Sequence, residues 1–257
     1  MMRQGELRDC VALVTGAGSG IGRAIAVLFA REAAKVVVAD LSEVDGKSTV
    51  ELIRKDNGDT ILVQGDVSKG DSVKRMVKVS VEEFGKLNVL VNNAGVESTG
   101  SVVDLSEEDW DKVMRINLKG TFLCSKYCAP RIVESGGGAI INVASVLGLI
   151  GSKGEAAYCA SKGGIISLSR AMALDFASQN VRVNCLCPGS VLTPTFKRVM
   201  KASGQYDAAF ARNLKKIPLG RVADPEEIAQ AALFLASKKS SYMTGATLVI
   251  DAGWSVS

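Results

Sequence analysis

Near its amino end the chain reads Thr15-Gly16-Ala17-Gly18-Ser19-Gly20-Ile21-Gly22, directly after the apolar run Val11–Thr15. Glycines between a strand and a helix let the backbone turn tightly and approach an anion, which the free N–H groups of the helix start stabilise. The spacing differs from G-x-G-x-x-G, and no Lys-Ser/Thr pair follows as in a Walker A loop. The turn predicts a nucleotide cradle, with a pyrophosphate beside Gly16, Ser19, Gly20, Ile21 and Gly22.

The rest of the chain alternates short Val- and Ile-rich runs with longer amphipathic stretches. Nearly continuous hydrophobicity is typical of parallel strands that are covered on both faces. Repeated βα units predict an α/β fold: a doubly wound, Rossmann-type parallel sheet of about seven strands with helices on both faces. The predicted strands are Val11–Thr15, Lys35–Asp40, Thr60–Gly65, Val89–Asn92, Ala139–Ala144, Val181–Cys187 and Thr247–Ile250. The predicted helices lie near 21–33, 43–56, 70–84, 107–134, 156–178 and 225–237.

One long interruption breaks this alternation. A basic, helix-like segment at about 189–223 separates the sixth and seventh predicted strands. No internal repeat, low-complexity tract or linker divides the chain. We therefore expect residues 1–257 to form a single nucleotide-binding domain, with 189–223 as a lid over its ligand crevice.

Composition and charge argue against several classes of protein. Of the 257 residues 47% are hydrophobic, and 31 basic against 27 acidic side chains give a net charge of +4. This mild charge includes no dense basic cluster, which argues against nucleic acid, and no apolar run reaches membrane-spanning length. The amino-terminal residues lack an apolar signal core, and the six cysteines show no C-x-x-C pair. We expect a cytoplasmic protein with reduced thiols.

The chain contains no histidine. This excludes Ser-His-Asp hydrolysis, Cys-His nucleophilic catalysis and histidine-ligated metal sites. We predict no metal site. Any acid–base chemistry must use tyrosine, lysine, cysteine or carboxylate side chains.

Asp40 closes the second predicted strand, 20 residues beyond Gly20. A carboxylate at this place can accept hydrogen bonds from both ribose hydroxyls of an adenosine, and it repels a 2′-phosphate. Neither Ser19 nor Leu41 supplies a cation that would offset this repulsion. The sequence therefore predicts NAD(H) in preference to NADP(H).

These features and six further motifs resemble the classical short-chain dehydrogenase/reductase family over nearly the whole chain. Each motif alone is weakly specific, whereas their order along the chain is very specific. The motifs are Thr15–Gly22, Asp66-Val67, Asn92-Asn93-Ala94-Gly95, Asn117, Ser145, Tyr158-x-x-x-Lys162 and Pro188-Gly189-x-Val191-x-Thr193.

The resemblance implies where the cofactor lies. Asp66 and Val67 would hold the adenine ring, and the turn Asn93–Gly95 would line the ribose. The nicotinamide would lie beside the last motif, with its carboxamide on Val191 and Thr193. The remaining implied contacts are Leu41, Pro188, Gly189 and the pair Tyr158 and Lys162.

Four residues form the candidate catalytic group: Asn117, Ser145, Tyr158 and Lys162. A tyrosine has an ordinary pKa of about 10, too high for an efficient base near neutral pH. Lys162 follows four residues later on the same helical face, so its ammonium group can stabilise the phenolate. Ser145, after the fifth strand, can donate a hydrogen bond to the substrate oxygen as charge develops there. By resemblance, Asn117 would anchor a water connected to Lys162.

The substrate end is less defined. The expected lid carries seven cations and one acid. The cations either bind an anionic substrate or, as we favour, coat the solvent face of the lid. The cations are Lys197, Arg198, Lys201, Arg212, Lys215, Lys216 and Arg221, and the acid is Asp207. Candidate pocket walls are Glu97, Leu147, Leu149, Ser152, Glu155 and Phe196. Glu97 and Glu155 could bind polyol hydroxyls or could be ordinary surface carboxylates.

Three functional hypotheses follow. The first is an NAD-dependent oxidoreductase that acts on a small secondary alcohol or ketone. The second is a 3-oxoacyl-carrier-protein reductase, although Asp40 argues against the NADPH that it would need. The third is a non-catalytic NAD(H)-binding regulator, which would have no use for Ser145, Tyr158 and Lys162. By resemblance we expect a homotetramer or homodimer that pairs through the helices near 107–134 and 156–178 and the last strand.

Overall fold

The computed structural model describes residues 5–202 and 204–257. Within these ranges seven parallel strands form one sheet in the order β3-β2-β1-β4-β5-β6-β7. The predicted doubly wound parallel sheet is confirmed. The strands are β1 (Val11–Thr15), β2 (Lys35–Asp40), β3 (Thr60–Gln64), β4 (Val89–Asn92), β5 (Gly138–Val143), β6 (Val181–Pro188) and β7 (Thr247–Ile250).

Helices connect the strands, with bounds close to those predicted. The first six are α1 (Gly20–Arg31), α2 (Glu43–Lys55), α3 (Gly70–Phe84), α4 (Glu107–Val113), α5 (Gly120–Glu134) and α6 (Ala156–Phe176). The remaining three are α7 (Pro194–Ala202), α8 (Tyr206–Leu214) and α9 (Pro225–Ala236). In the part of the chain that the structure describes, none of the helices is long and apolar enough to cross a membrane.

The two faces of the sheet carry separate apolar cores, which the alternation of side chains along β1 illustrates. Ala12 and Val14 pack into a core with residues of α1, α2 and α9. Val11 and Leu13 point the other way and pack with residues of α3, α5 and α6. Because both faces are covered, the strands read as continuous apolar runs.

The strand order reverses between the neighbours β1 and β4. From β1 the chain proceeds through β2 to β3 at one edge, and it then crosses to β4 and continues to β7 at the other. In open α/β sheets such a reversal leaves a crevice at the carboxyl ends of the strands, where ligands bind. The glycine-rich turn after β1 and the turn after β4 face each other at this point.

The predicted helix at 107–134 differs in detail from the observed one. A π-helical segment, Met114–Lys119, lies between α4 and α5 and contains the buried Asn117. Wider turns of this kind occur frequently at functional sites because they redirect individual groups. Amphipathic periodicity predicts the helix and does not predict this local widening.

The excursion at 189–223 contains α7 and α8. A parallel bridge between Val191 and Ala223 closes its base. Phe196 of α7 meets Phe210 of α8 edge-on, with ring centroids 6.1 Å apart, and Tyr206 stacks on Phe210 at 6.0 Å. The two helices therefore form one aromatic-packed unit, and its role as a lid stays a prediction.

We expect Gly22→Ala to lower the stability of the protein. A Cβ at Gly22 would lie 2.1 Å from the carbonyl oxygen of Gly16 and 2.4 Å from Asn93 Nδ2. Forced overpacking of this kind destabilises proteins by about 1–3 kcal/mol, which thermal denaturation would detect. Gly163→Ala in α6 is the control, since its Cβ would meet only Gly148 O at 3.5 Å. An equal loss of Tm in both variants would contradict this explanation.

Candidate active site

A cavity of about 650 Å³ opens at the carboxyl ends of the strands. It is lined by most of the residues predicted from the sequence, which therefore converge on one place. Gly22 and Asn117 do not line it. The predicted residues that do are Gly16, Ser19, Gly20, Ile21, Asp40, Leu41, Asp66, Val67, Asn93, Ala94, Gly95, Ser145, Tyr158, Lys162, Pro188, Gly189, Val191 and Thr193.

The start of α1 is suited to an anion. Ser19 precedes the helix without a side-chain cap, and the first turn contains no acidic residue. The first N–H groups of a helix have no partner within it, and here they lie beside the cavity wall. Gly16 and Gly20 adopt φ values of +62° and +52°, which other residues rarely adopt. These features fit the pyrophosphate of a dinucleotide.

The glycine-rich turn is fixed by the turn that follows β4. Asn93 Nδ2 donates hydrogen bonds to the carbonyl oxygens of Thr15 and Gly16, at 3.0 and 3.2 Å. The backbone N–H groups of Asn93 and Ala94 donate to Thr15 Oγ1 at 3.0 and 3.1 Å. The amide of Asn93 therefore holds the cradle together, in addition to the cofactor contact that the resemblance implies.

Asp40 lies at the end of β2 beside the same turn. Its Oδ2 accepts a hydrogen bond from the N–H of Gly18 at 2.7 Å, and its Oδ1 accepts one from the N–H of Ser42 at 2.8 Å. A Cβ at Gly18 would stand 2.8 Å from Asp45 Cβ, so a second acid lies close by. The cavity wall here is acidic at the place where the adenosine ribose is expected.

The other predicted cofactor residues lie around this centre. Asp66 Oδ1 accepts hydrogen bonds from the N–H and hydroxyl of Ser68, at 2.9 and 2.7 Å, so the carboxylate also stabilises its own turn. Across the cavity, the Thr193 methyl carbon lies 3.1 Å from where a Cβ of Gly20 would stand. The Thr193 hydroxyl oxygen accepts from the N–H of Phe196 at 3.1 Å. This contact ties the expected nicotinamide end to α7.

Ser145, Tyr158 and Lys162 meet at the middle of the cavity. Lys162 is 4% exposed, its Nζ donates to the carbonyl oxygen of Val143 at 2.9 Å, and it lies 5.5 Å from the centre of the Tyr158 ring. Ser145, which is 8% exposed, follows β5 and begins a short helical turn. The three side chains thus share one wall, built from the end of β5 and the first turns of α6.

The electrostatics of Tyr158 differ from the prediction. Burial, followed by the Glu97 carboxylate, raises the pKa of the phenol above its ordinary value, while the Ser145 hydroxyl lowers it. The expected lowering of this pKa by Lys162 is not found in the protein alone, where the Lys162 Nζ donates to the carbonyl oxygen of Val143. A neutral phenol is therefore the state that this site favours.

Asn117 supports the site from behind. Its Oδ1 accepts from the N–H of Val96 at 2.8 Å, and its Nδ2 donates to Val96 O at 2.9 Å and to Ser161 Oγ at 3.1 Å. The side chain thus joins the loop after β4 to the helix that carries Tyr158 and Lys162. Its role in holding a water next to Lys162 stays a prediction.

Comparison with known proteins places the chain in a family. The family model described as "Enoyl-(Acyl carrier protein) reductase" matches residues 16–255. An uncharacterized oxidoreductase of Thermotoga maritima is 43% identical over 95% of this chain and 96% of its own length. A 3-oxoacyl-[acyl-carrier-protein] reductase of the same organism is 40% identical over 96% and 98%. A putative short-chain dehydrogenase/reductase of Burkholderia xenovorans, whose crystal structure is known, superposes with a TM-score of 0.95, at 38% identity and 98% and 99% coverage.

The chain is a short-chain dehydrogenase/reductase. Members of this family bind a nicotinamide cofactor and act as oxidoreductases, which confirms the class of enzyme predicted from the motifs. The glycine cradle, the acidic wall at Asp40 and the Thr193 side supply a fitting site for that cofactor.

In this short-chain dehydrogenase/reductase, Lys162→Met is expected to raise stability at neutral pH. Burial is the largest cause that lowers the pKa of Lys162, to about 8 from 10.5. The unfolded chain therefore binds more protons between about pH 8 and pH 10.5, and stability rises through that window. Below it the buried charge is destabilising. The variant should melt about 5 °C above the wild type at pH 7, and this difference should shrink by pH 10.

Lys55→Met, at the exposed end of α2, is the control for this prediction, because the charge of Lys55 lies in solvent and its removal should change Tm equally at pH 7 and pH 10. A lower Tm of Lys162→Met at pH 7 would show instead that the hydrogen bond to Val143 outweighs the penalty of burying the charge.

The substrate end of the cavity confirms part of the predicted pocket. Of the predicted walls, Leu149 is 42% exposed and does not line the cavity. The others do, namely Glu97, Leu147, Ser152, Glu155 and Phe196. Sequence reasoning missed Met200, Asn213 and Trp254, which also line it. These side chains arrive from α7, α8 and the carboxyl-terminal segment, and no motif marks them.

The basic residues of the 189–223 segment divide into two groups. Arg198 and Lys216 line the cavity. Arg221 pairs with Glu227 through two contacts of 2.7 Å, outside the cavity. The others are exposed, namely Lys197, Lys201, Arg212 and Lys215. Most of the cations therefore coat the solvent face, as we favoured, and two remain near the substrate.

Proposed function

We propose that this enzyme transfers a hydride between NAD(H) and a small secondary alcohol or ketone, with Tyr158 as general acid/base. The observation that carries the proposal is the convergence of Ser145, Tyr158 and Lys162 on the cavity that the glycine cradle and Asp40 also line. A tyrosine and a lysine one helical turn apart are uninformative alone. Their position beside a site that fits a dinucleotide supports a role for them in catalysis.

The proposed chemistry follows from the positions of these groups. When bound, the cofactor supplies or accepts the hydride and, when oxidised, brings a positive charge to the site. In reduction the substrate carbon accepts the hydride, and the Tyr158 hydroxyl donates its proton to the substrate oxygen. Ser145 donates a hydrogen bond to that oxygen while negative charge develops there. Lys162, with a pKa of about 8, can supply the proton that restores Tyr158.

NAD(H) is proposed over NADP(H) because of Asp40, which lines the cavity. Its carboxylate can accept hydrogen bonds from ribose hydroxyls, whereas it repels a 2′-phosphate. Leu41, the next residue, is 67% exposed and offers no positive charge.

A 3-oxoacyl-carrier-protein reductase is the second candidate, since a relative with that name is 40% identical. Arg198 and Lys216 at the cavity also give cations that a carrier phosphate could approach. A screen of secondary alcohols, ketones and an acetoacetyl thioester, each with NAD(H) and NADP(H), tests both candidates. Turnover of the thioester with NADPH alone would overturn the first, and cofactor binding without any turnover would indicate a regulator.

The assembly is proposed to be a homotetramer. Apolar side chains are exposed on the helices where the resemblance places the contacts: Phe122 is 45% exposed on α5 and Leu174 is 83% exposed on α6. Exposed large apolar side chains on neighbouring helices are typical of a protein interface. Light scattering that gives the mass of one chain, 27.0 kDa, would contradict this assembly.

A further inference from the structure

The substrate end of the cavity contains hydrogen-bond acceptors that no group satisfies within the described residues 5–202 and 204–257. Glu155 Oε2 and Asn213 Oδ1 are buried without a hydrogen-bond partner, and both residues line the cavity. A third unpartnered atom, Ser98 Oγ, belongs to the residue after Glu97. Buried polar atoms are almost always paired, so unpaired acceptors at a cavity wall indicate that a bound molecule supplies the donors.

The backbone fixes Glu155 at this place. The segment before α6 forms a parallel bridge to the loop after β4, between Gly100 and Glu155, and the N–H of Gly100 donates to Gly154 O at 2.8 Å. This bridge brings the loop that carries Glu97 beside Glu155. The Glu97 carboxylate consequently acts on Glu155 and raises its pKa, after burial as the larger cause.

Asn213 approaches the same region from the other side. It lies on α8, which packs against α7 through Phe196 and Phe210. Lys216 follows Asn213 by three residues and lies close enough to Glu155 to lower its pKa against the two raising effects. Glu155 and Asn213 therefore face one space, which Tyr158 also borders.

Two acids and three cations border this space. The acids are Glu97 and Glu155, and the cations that act on them are Lys162, Arg198 and Lys216. Burial raises the pKa of both acids, that of Glu155 to about 7, so Glu155 is partly protonated near neutral pH. Arg198 and Lys216 are exposed to solvent, which screens their charges. The unpaired atoms are acceptors, and a hydroxyl can donate to an acceptor, which an anionic oxygen without a hydrogen cannot.

We propose that the substrate is a neutral polyol or sugar-like alcohol, or its keto form, with a second hydroxyl that donates to Glu155 Oε2 or to Asn213 Oδ1. The inference deepens the proposed function and rests on it. Glu155 and Asn213 act as specificity-determining residues, because they touch a part of the substrate that does not react. Removal of that hydroxyl leaves its acceptor unpaired and weakens binding of the substrate and its transition state.

The experiment compares kcat/KM with NAD⁺ for matched alcohols. The probes are 2-butanol, the 1,2-, 1,3- and 2,3-butanediols, 1-amino-2-propanol and lactate. The wild type should prefer the best diol to 2-butanol by at least about tenfold. Glu155→Leu should collapse this ratio toward one, chiefly through a higher KM for the diol, and Glu155→Gln should retain part of it. Asn213→Leu, on a separate helix, should lower the ratio in the same direction.

Glu51→Leu, an exposed position on α2, is the matched control and should leave the ratio unchanged. An equal kcat/KM for diols and 2-butanol in the wild type overturns the inference, as does a ratio that neither Glu155→Leu nor Asn213→Leu alters. Preference for the amino alcohol or for lactate also overturns it, in favour of a charged substrate. Absence of turnover with every alcohol and ketone contradicts the proposed function itself.

Discussion

Replacing Tyr158 by phenylalanine is expected to lower kcat by about 10²–10⁴-fold, the range that a general acid or base contributes. The change removes one oxygen, the atom that gives its proton to the substrate in the proposed mechanism. The phenyl ring remains beside Lys162, and the Lys162 Nζ keeps its hydrogen bond to the carbonyl oxygen of Val143. Binding of NADH, followed by fluorescence titration, should change by less than about threefold, because the glycine cradle and Asp40 are untouched.

Tyr242→Phe is the matched control, since the Tyr242 side chain is fully exposed and its hydroxyl touches no part of the cavity. It should leave kcat unchanged. The pH dependence of kcat is a second test of the role of Tyr158, because burial raises the pKa of Tyr158 in the protein alone. Turnover of Tyr158→Phe at the wild-type rate would remove Tyr158 from the mechanism and would leave Lys162 and the carboxylates Glu97 and Glu155 as candidates.

The fold could be predicted because a parallel sheet covered on both faces produces a recognisable sequence pattern of short, nearly continuous apolar runs. β1, β2 and β4 have the predicted bounds, since β1 and β4 are buried along their whole length and β2 is buried between its two end residues. β5 begins one residue early, at Gly138, because pairing with Val181 extends the ladder there. The hydrophobicity of a strand does not show how it pairs, so strand ends that depend on pairing with a neighbouring strand could not be predicted.

The cofactor half of the site could be predicted because its residues stand at strand ends, and all strand ends of a parallel sheet meet at one edge. Gly22 is an instructive exception. It belongs to the motif and is absent from the cavity wall, because a side chain there would meet Gly16 O. A glycine is required at this position because of packing within the turn. The spacing of the motif does not show whether a glycine is needed for packing or for contact with the cofactor.

The substrate half could be predicted only in part. Glu97 and Glu155 stand next to motifs, and their positions followed from that proximity. Asn213 lies on a helix whose periodicity does not show which face meets the cavity. The sequence predicted a lowered pKa for Tyr158, whereas in the protein alone burial and then the Glu97 carboxylate, 61 residues away in the sequence, raise it. Such effects depend on three-dimensional proximity.

Replacing Asp40 by asparagine is expected to change which cofactor the enzyme uses. Two like charges about 4 Å apart near a protein surface repel by about 4 kcal/mol, before screening by solvent. The wild type should therefore prefer NADH to NADPH by at least about 100-fold in kcat/KM. Asp40→Asn should narrow this preference by about tenfold or more. Two changes should contribute: kcat/KM should rise with NADPH and fall with NADH. The fall is expected because the ribose of NADH loses its carboxylate partner.

The two hydrogen bonds of Asp40 complicate the interpretation, since Gly18 and Ser42 both donate to it. Loss of the Gly18 contact alone would loosen the cradle and lower kcat/KM with both cofactors equally, leaving their ratio unchanged. Adding Leu41→Arg separates the two effects, because a cation at this exposed position should raise kcat/KM with NADPH alone. Asp59→Asn, directly before β3 at the amino-terminal ends of the strands, is the control for loss of one acid. A wild type that uses NADPH as well as NADH would contradict the role given to Asp40.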